Sequence, residues 1–386
     1  MSKLVFLEYL NDYNIEDLRK AIENGIQSLN VKSLIKPNMK VLIKVCLPDA
    51  VSKDNAETTH PAVVRAIVDT LSKMGAKCVV ADSPEKKFNE EYLSSVYLNT
   101  GMLGMANSTN CKLNNSLKTI DIEVPNGQKT KRIKLLEIIN QVDAIINVGK
   151  LKLDDNYGYL GATSNLFGLI PGEMKTLVRN RLSCLGDYND YIIDIYETLK
   201  DKVILNVLDA VVAMEANKTQ RMMNCLSMSQ NAYSLDATML DILNIKRENT
   251  ILKQANNREL IDLTKPYKII GEKIEKFKLV DFSLVEFDNH TEIKHEKGYF
   301  KSHQQRPTID KNKCKGCKIC SKICPTNAIM MKYDKQGELY AEIDYKKCIF
   351  CNKCITACPY NVVQQKTPHA YKTMMKEIEK YNKEQD

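Results

Sequence analysis

Residues 314–325 read C-K-G-C-K-I-C-S-K-I-C-P, and residues 348–359 read C-I-F-C-N-K-C-I-T-A-C-P. Each stretch is C-x2-C-x2-C-x3-C-P, the spacing with which thiolates hold 4Fe–4S clusters. Three cysteines at steps of three wrap a tight loop around one cubane and supply three of its corners. The fourth lies beyond that loop's reach and, where two such runs occur together, ligates the other cluster. This assigns one cluster to Cys314, Cys317, Cys320 and Cys358, and a second to Cys348, Cys351, Cys354 and Cys324. Zinc is the competing ligand for any C-x-x-C pair, in a closed tetrahedral site. Zinc ribbons need neither the triplet nor the Cys-Pro, and both occur here twice.

The two stretches also form an internal repeat that extends past the cysteines. Cys324-Pro325-Thr326-Asn327-Ala328-Ile329 matches Cys358-Pro359-Tyr360-Asn361-Val362-Val363. Between them, residues 330–333 and 339–343 alternate as strands, with Asp334-Lys335-Gln336-Gly337 as the turn. Over residues 305–366 the chain resembles the dicluster bacterial-type ferredoxins. Phe350 departs from that pattern, standing where the first half has Gly316. It either shields its cluster from water or packs locally, and both readings stay open.

Working outward, 386 residues leave most of the chain outside this module, enough for a second and larger domain. Hydrophobic residues (44%) and charged residues (27%) are in the ordinary range for a water-soluble protein. The start, Met1-Ser2-Lys3-Leu4, lacks the basic and apolar regions of a signal peptide, and no run approaches a membrane span. The expectation is a cytoplasmic protein whose thiols stay reduced. The clusters and the Lys/Asn/Ile-rich composition point to an anaerobe. Cys46, Cys78, Cys111, Cys184 and Cys225 are scattered without ligand spacing and read as small buried side chains.

Charge is unevenly placed. Residues 301–386 hold 17 Lys+Arg against 9 Asp+Glu, while the remainder holds 39 of each, so the whole excess of +8 sits at this end. Two oxidised clusters with their thiolates would cut it to about +4. Such a surface favours a redox partner protein with an acidic docking face. Nucleic acid ranks below it, because no aromatic–basic reading surface accompanies the lysines.

Residues 1–300 alternate strands and helices. Residues 4–9, 41–47, 76–81, 143–148 and 203–208 read as strands, and 15–29, 60–74 and 236–243 as helices. Pro61 stands in the first turn of its helix and Gly75 stops it. Strand, helix and strand over 41–81 make a βαβ unit, which implies a parallel sheet. No P-loop is present, and Gly158, Gly161 and Gly168 do not make a G-x-G-x-x-G fingerprint, so nucleotide-dependent hydride chemistry is unsupported. His290, His295 and His303 lie in a polar stretch without ligand spacing.

The first 250 or so residues resemble the domain of unknown function 362 family. The segments that carry the resemblance are Val41-Leu42-Ile43-Lys44, Thr59-His60-Pro61, Asp82-Ser83-Pro84, Gly149-Lys150-Leu151-Lys152, the run from Asn165 to Gly172, Leu208-Asp209-Ala210 and Leu235-Asp236-Ala237. Members often carry a C-terminal dicluster ferredoxin module. Departures fall on polar positions: Lys44-Val45-Cys46 replaces a usual Lys-Pro-Asn, Lys152-Leu153-Asp154 a usual Lys-Thr-His, Ser164 an expected lysine, and Ala216-Asn217-Lys218 expected glycines. The fold expected is α/β: a Rossmann-like, largely parallel sheet domain over 1–286, a linker over 287–306, a small α+β dicluster ferredoxin-type domain over 307–366, and a helix over 367–386.

Ligands of parallel α/β sheets bind outside the strand carboxyl ends. Lys44, Asp82 and Asp209 fall there. With Lys150 and Lys152 they form a candidate substrate site for an anionic small molecule, and His60 is the candidate general acid. The competing readings are structural: His60 caps a helix, Asp82 braces a turn, and the lysines are solvated. Three functions follow. The first is an iron–sulfur oxidoreductase passing single electrons to or from the α/β domain. The second is an electron carrier whose α/β domain only docks a redox partner. The third is a non-redox binding protein with structural clusters, which would need only one metal centre.

Overall fold

Along the strand Lys40–Lys44, Val41 and Ile43 belong to one apolar layer and Leu42 to another. That two-residue period sets the architecture of the first unit. The computed structural model describes residues 3–85, 87–172, 174–179, 181–182, 184–264, 267–278, 282, 290–291, 306–324, 326–345, 347–348 and 353–366. The chain divides into two units: Met1–Gln128, Arg132–Val178 and Leu182–Lys294 form one, and Lys129–Lys131, Arg179–Arg181 and His295–Asp386 the other. Of the linker read over 287–306 only His290, Thr291 and Arg306 are described. The C-terminal helix read over 367–386 lies outside the described residues.

In chain order the strands of the first unit are β1 (Leu4–Tyr9), β2 (Lys40–Lys44), β3 (Lys77–Ala81), β4 (Cys111–Leu113), β5 (Thr119–Glu123), β6 (Arg132–Leu136), β7 (Ala144–Asp154), β8 (Gly158–Leu160), β9 (Val203–Met214), β10 (Gln220–Ser229) and β11 (Lys268–Gly271). Nine of them make one sheet in the order β11-β1-β10-β9-β7-β2-β3-β4, with β8 paired to β7. The pairs β9–β7, β7–β2, β2–β3, β3–β4 and β1–β11 are parallel; β10 is antiparallel to both β9 and β1. The sheet is thus largely parallel, with β10 antiparallel inside it and β8 antiparallel to β7. Strands β5 and β6 form a separate hairpin.

Helices cover both faces, as a sheet buried on both sides requires. Helices Ile15–Ser28 and Pro61–Lys73 pack on the face of Val41, Ile43, Ile146, Val148, Leu205 and Val207. Helices Leu185–Leu199 and Ala232–Ile242 pack on the face of Leu42, Ile145 and Leu208. Each such aliphatic side chain contributes roughly 1.5–3 kcal/mol by leaving water. Asn14 caps the first helix through the backbone N–H groups of Glu16 and Asp17.

The second unit repeats one plan twice. Strand β12 (Arg306–Ile309), a cysteine loop, helix Ile319–Ile323 and β13 (Ile329–Tyr333) make the first copy. Strand β14 (Leu339–Ile343), a second loop, helix Lys353–Thr356 and β15 (Val363–Lys366) make the second. Because β12 pairs with β15 and β13 with β14, both antiparallel, the end of each copy lies beside the start of the other. The core is small: Ile309, Ile329, Ala341, Ile343, Val362 and Val363 close around buried Cys320, Cys354 and Cys358, with Cys314, Cys324 and Cys348 packed against it.

Candidate functional site

In the second unit the backbone turns where the ligand loops demand it. Asn327 (φ 51°) and Asn361 (φ 53°), three residues after Cys324 and Cys358, occupy the left-handed region, which asparagine enters at low cost. Gly316 (φ 61°) sits so close to β14 that a Cβ would lie 2.6 Å from the Leu339 carbonyl oxygen. Burial raises the pKa of the Cys320 thiol; a backbone donor at Ser321 opposes this, and Cys314, Cys317 and Cys358 beside it raise it further. Cys320 of the first run and Cys358 of the second are buried in one core, and Cys314 packs against it. The sulfur of Cys324 accepts the backbone N–H of Ala328 at 3.2 Å. Cys351 and Phe350 lie outside the described residues. The donor set, soft thiols from both copies around one apolar core, fits iron–sulfur ligation.

In the first unit the polar residues at the sheet centre are aligned by register. Lys44 of β2 stands opposite Asn147 of β7, Asn147 opposite Asn206 of β9, and Asn206 opposite Ser229 of β10. Asn147 donates to Asn206 Oδ1 (2.9 Å) and to the Ala162 carbonyl (2.8 Å), and Asn165 donates to Asn147 Oδ1 (2.8 Å). Asn206 in turn donates to the Ser229 carbonyl at 3.2 Å. Such a row is tolerated in a core only because its members satisfy one another.

Two ion pairs flank this row. Lys44, fully buried, lies 3.0 Å from Asp82 Oδ1 and also donates to the Val45 carbonyl and to Asn165 Oδ1. Asp82 accepts the Leu47 backbone N–H through its other oxygen. Gly168 covers the pair closely: a Cβ there would meet Asp82 Oδ1 at 2.2 Å and Lys44 Nζ at 2.5 Å. Lys150 donates to Asp209 Oδ2 at 2.9 Å and to the Tyr13 hydroxyl at 2.8 Å. Asp209 also accepts the Tyr13 hydroxyl (3.0 Å) and the His60 backbone N–H (3.0 Å). Burial lowers the pKa of Lys150, against the pull of Asp209.

The sequence candidates Lys44 and Lys150 thus meet two other candidates, Asp82 and Asp209, inside the fold. Both lysines are buried and each is neutralised by an internal carboxylate, so Asp82 and Asp209 serve as braces. Lys152 stands apart, half-buried, donating to the Glu57 carbonyl at 3.4 Å. Burial opposes its charge, but Cys46, Glu85 and Glu57 outweigh burial and raise its pKa. Sequence reasoning missed Tyr13, Asn147, Asn206 and Lys175. Buried Lys175 donates to the Ser83 carbonyl. It also missed the role of Asp236, whose carboxylate accepts from Tyr159, from the Thr163 hydroxyl and from the N–H groups of Ala162 and Thr163, and so caps helix Ala162–Asn165 from another element.

His60 takes the structural reading. Its Nδ1 accepts the Ala62 N–H at 3.2 Å, capping helix Pro61–Lys73, and its ring stacks on Tyr13 at 3.7 Å. With Nδ1 accepting, the neutral ring carries its proton on Nε2. Burial lowers its pKa to about 4; Lys150 and Lys53 lower it too, against Asp209 and Asp54. The folded state binds the proton less tightly than the unfolded chain, near 6.5, so the contribution is whole above pH 6.5 and is lost as pH falls toward 4. The loss amounts to ~3 kcal/mol at most. His60→Asn keeps a capping acceptor but cannot titrate. Urea unfolding at pH 7 and pH 5 should show a smaller acid loss in that variant than in the native chain.

A three-layer α/β unit joined to a module with duplicated thiolate runs defines the class: an α/β protein with a ferredoxin-type iron–sulfur domain. The chain belongs to the domain of unknown function 362 family, whose model matches residues 34–241, and a 4Fe–4S dicluster domain matches residues 313–362. It is 25% identical over 260 residues to the thylakoid-associated protein sll1697 of Synechocystis sp. (strain ATCC 27184 / PCC 6803 / Kazusa), covering 64% of this chain and 76% of that protein. It also resembles the lactate racemase apoprotein of Thermoanaerobacterium thermosaccharolyticum, with a TM-score of 0.38 at 12% identity. That likeness covers 59% of this chain and about half (54%) of the other. Among the described residues no helix is long and apolar enough to cross a membrane.

Proposed function

We propose that this chain is an iron–sulfur electron-transfer protein holding two 4Fe–4S clusters, one on Cys314, Cys317, Cys320 and Cys358, the other on Cys348, Cys351, Cys354 and Cys324. Bound clusters of this kind supply low-potential, single-electron chemistry. The protein's part is to exclude water with Ile309, Ile329, Ile343 and Val363 and to donate N–H groups to the sulfurs, as Ala328 does to Cys324. The observation that carries the reading is that Cys358 of the second run shares one core with Cys320 and Cys314 of the first, on a fold that repeats itself.

An oxidoreductase coupled to the α/β unit and a carrier whose α/β unit docks a partner remain the two forms of this reading. The internal pairing of Lys44 and Lys150 favours the carrier, and Lys152 is the lysine left for an anion among the sequence candidates. A cytoplasmic setting with an acidic redox partner fits both. The test is anaerobic titration with dithionite, followed by electron paramagnetic resonance. Uptake of about two electrons per chain, one per cluster, is expected; a chain that resists dithionite would support purely structural clusters. Inorganic phosphate and malonate should leave the melting temperature of the carrier unchanged, and stabilisation by either would restore the oxidoreductase with an anionic substrate.

A further inference from the structure

The first ligand loop is more than a holder of sulfurs. Among the described cysteines Cys317 alone is exposed. Around it Lys315, Lys318 and Lys322 are exposed, and Ile319 and Ile323 are 40% and 42% exposed. Lys311 and Lys313 are engaged by Glu342 and Asp310. Among the described residues no ion pair engages Lys315, Lys318 or Lys322.

Lys318 adds an independent sign. It holds φ 63°, in the left-handed region that an ordinary L side chain enters at a cost. The equivalent position of the second repeat is Asn352, a residue that takes that conformation more readily. Asn327 and Asn361, which match each other in the two repeats, are asparagine in both. The first repeat thus keeps a lysine where local backbone preference argues for asparagine, and retained strain of this kind marks a functional position.

We propose that Lys315, Lys318 and Lys322, framing Ile319 and Ile323 around Cys317, form the docking face for a one-electron redox protein with an acidic rim and an apolar centre. This rests on the electron-transfer reading of the unit. An exposed ligand gives the shortest path out of the core, the lysines steer an acidic partner to it, and the two isoleucines exclude water once it arrives. A second copy of this chain does not suit the face, because like charges would oppose.

The test uses the full chain, reconstituted anaerobically, reduced with dithionite and mixed in a stopped-flow instrument with a flavodoxin, a small acidic flavin protein, as the probe. The native rate should fall as salt rises. The triple variant Lys315→Glu/Lys318→Glu/Lys322→Glu should react about tenfold more slowly at low salt and lose the salt dependence. The same charge change at exposed Lys20, Lys32 and Lys36 should alter the rate less than about twofold. Equal slowing by both triples would reduce the effect to net charge and overturn the proposal, as would no slowing by the first. Competition by duplex DNA that displaces the probe would reassign the face to nucleic acid. Lys318→Asn guards against misfolding: it should melt at the same or a higher temperature and still react more slowly. A lower melting temperature would remove the strain argument. A chain that takes up no electrons at all would sink the electron-transfer reading itself, a failure visible before any probe is added.

Discussion

Cys358→Ala is expected to leave about four of about eight iron atoms on the chain, and the lost set is the one bound by Cys314, Cys317 and Cys320. The reason is topological. Antiparallel pairing of β12 with β15 brings the end of the second copy beside the start of the first, and Cys358 shares the buried core with Cys320. Double variants separate this from a sequential arrangement. If Cys358 and Cys317 serve one cluster, removing both costs no more iron than removing either, because the two losses are one loss. Cys358→Ala/Cys317→Ala should therefore retain about four iron atoms, and Cys358→Ala/Cys354→Ala nearly none. The reverse outcome would place Cys358 with its sequence neighbours and contradict the crossed assignment.

Asp209→Ala should be the most damaging single change in the α/β unit. It removes the acceptor for Tyr13, for the His60 backbone N–H and for the ammonium of Lys150, which is then left buried and unpaired. Breaking a buried ion pair by removing one partner costs roughly 3–5 kcal/mol. For a unit of this size that is a fall of about 10 °C in the melting temperature. The asymmetry gives the check: Lys150→Met in the Asp209→Ala background removes the stranded charge, and most of the lost stability should return. A double variant as unstable as the single would show that Asp209 does something other than neutralise Lys150.

How far the chain could be read beforehand depended on how local each signal is. Strand β1 lies where a short apolar run placed it, strand β14 where alternation did, and helix Pro61–Lys73 begins at the proline that marked it. Helix Leu185–Leu199 was invisible to periodicity because it is buried nearly all round and has little polar face. Strand β10 was missed for a related reason: from Cys225 onward it is buried on both sides. Its connection to β9 also carries no Asn-Gly signal, since Lys218 takes the positive φ (66°) instead. The cluster ligands were legible because three of every four lie within one loop. The polar site was not, because its partners come from separate parts of the chain: Lys44 of β2 meets Asp82, just past the end of β3, and Lys150 of β7 meets Asp209 of β9 only after the sheet forms. The residues that read as an anion site from their place at strand carboxyl ends pair with one another in three dimensions.

Iron and acid-labile sulfide per chain after anaerobic reconstitution show directly whether the cysteine repeats hold two cubane clusters. The expected result is about eight of each, with the colour bleached by dithionite. Two zinc ions per chain with no sulfide would contradict it.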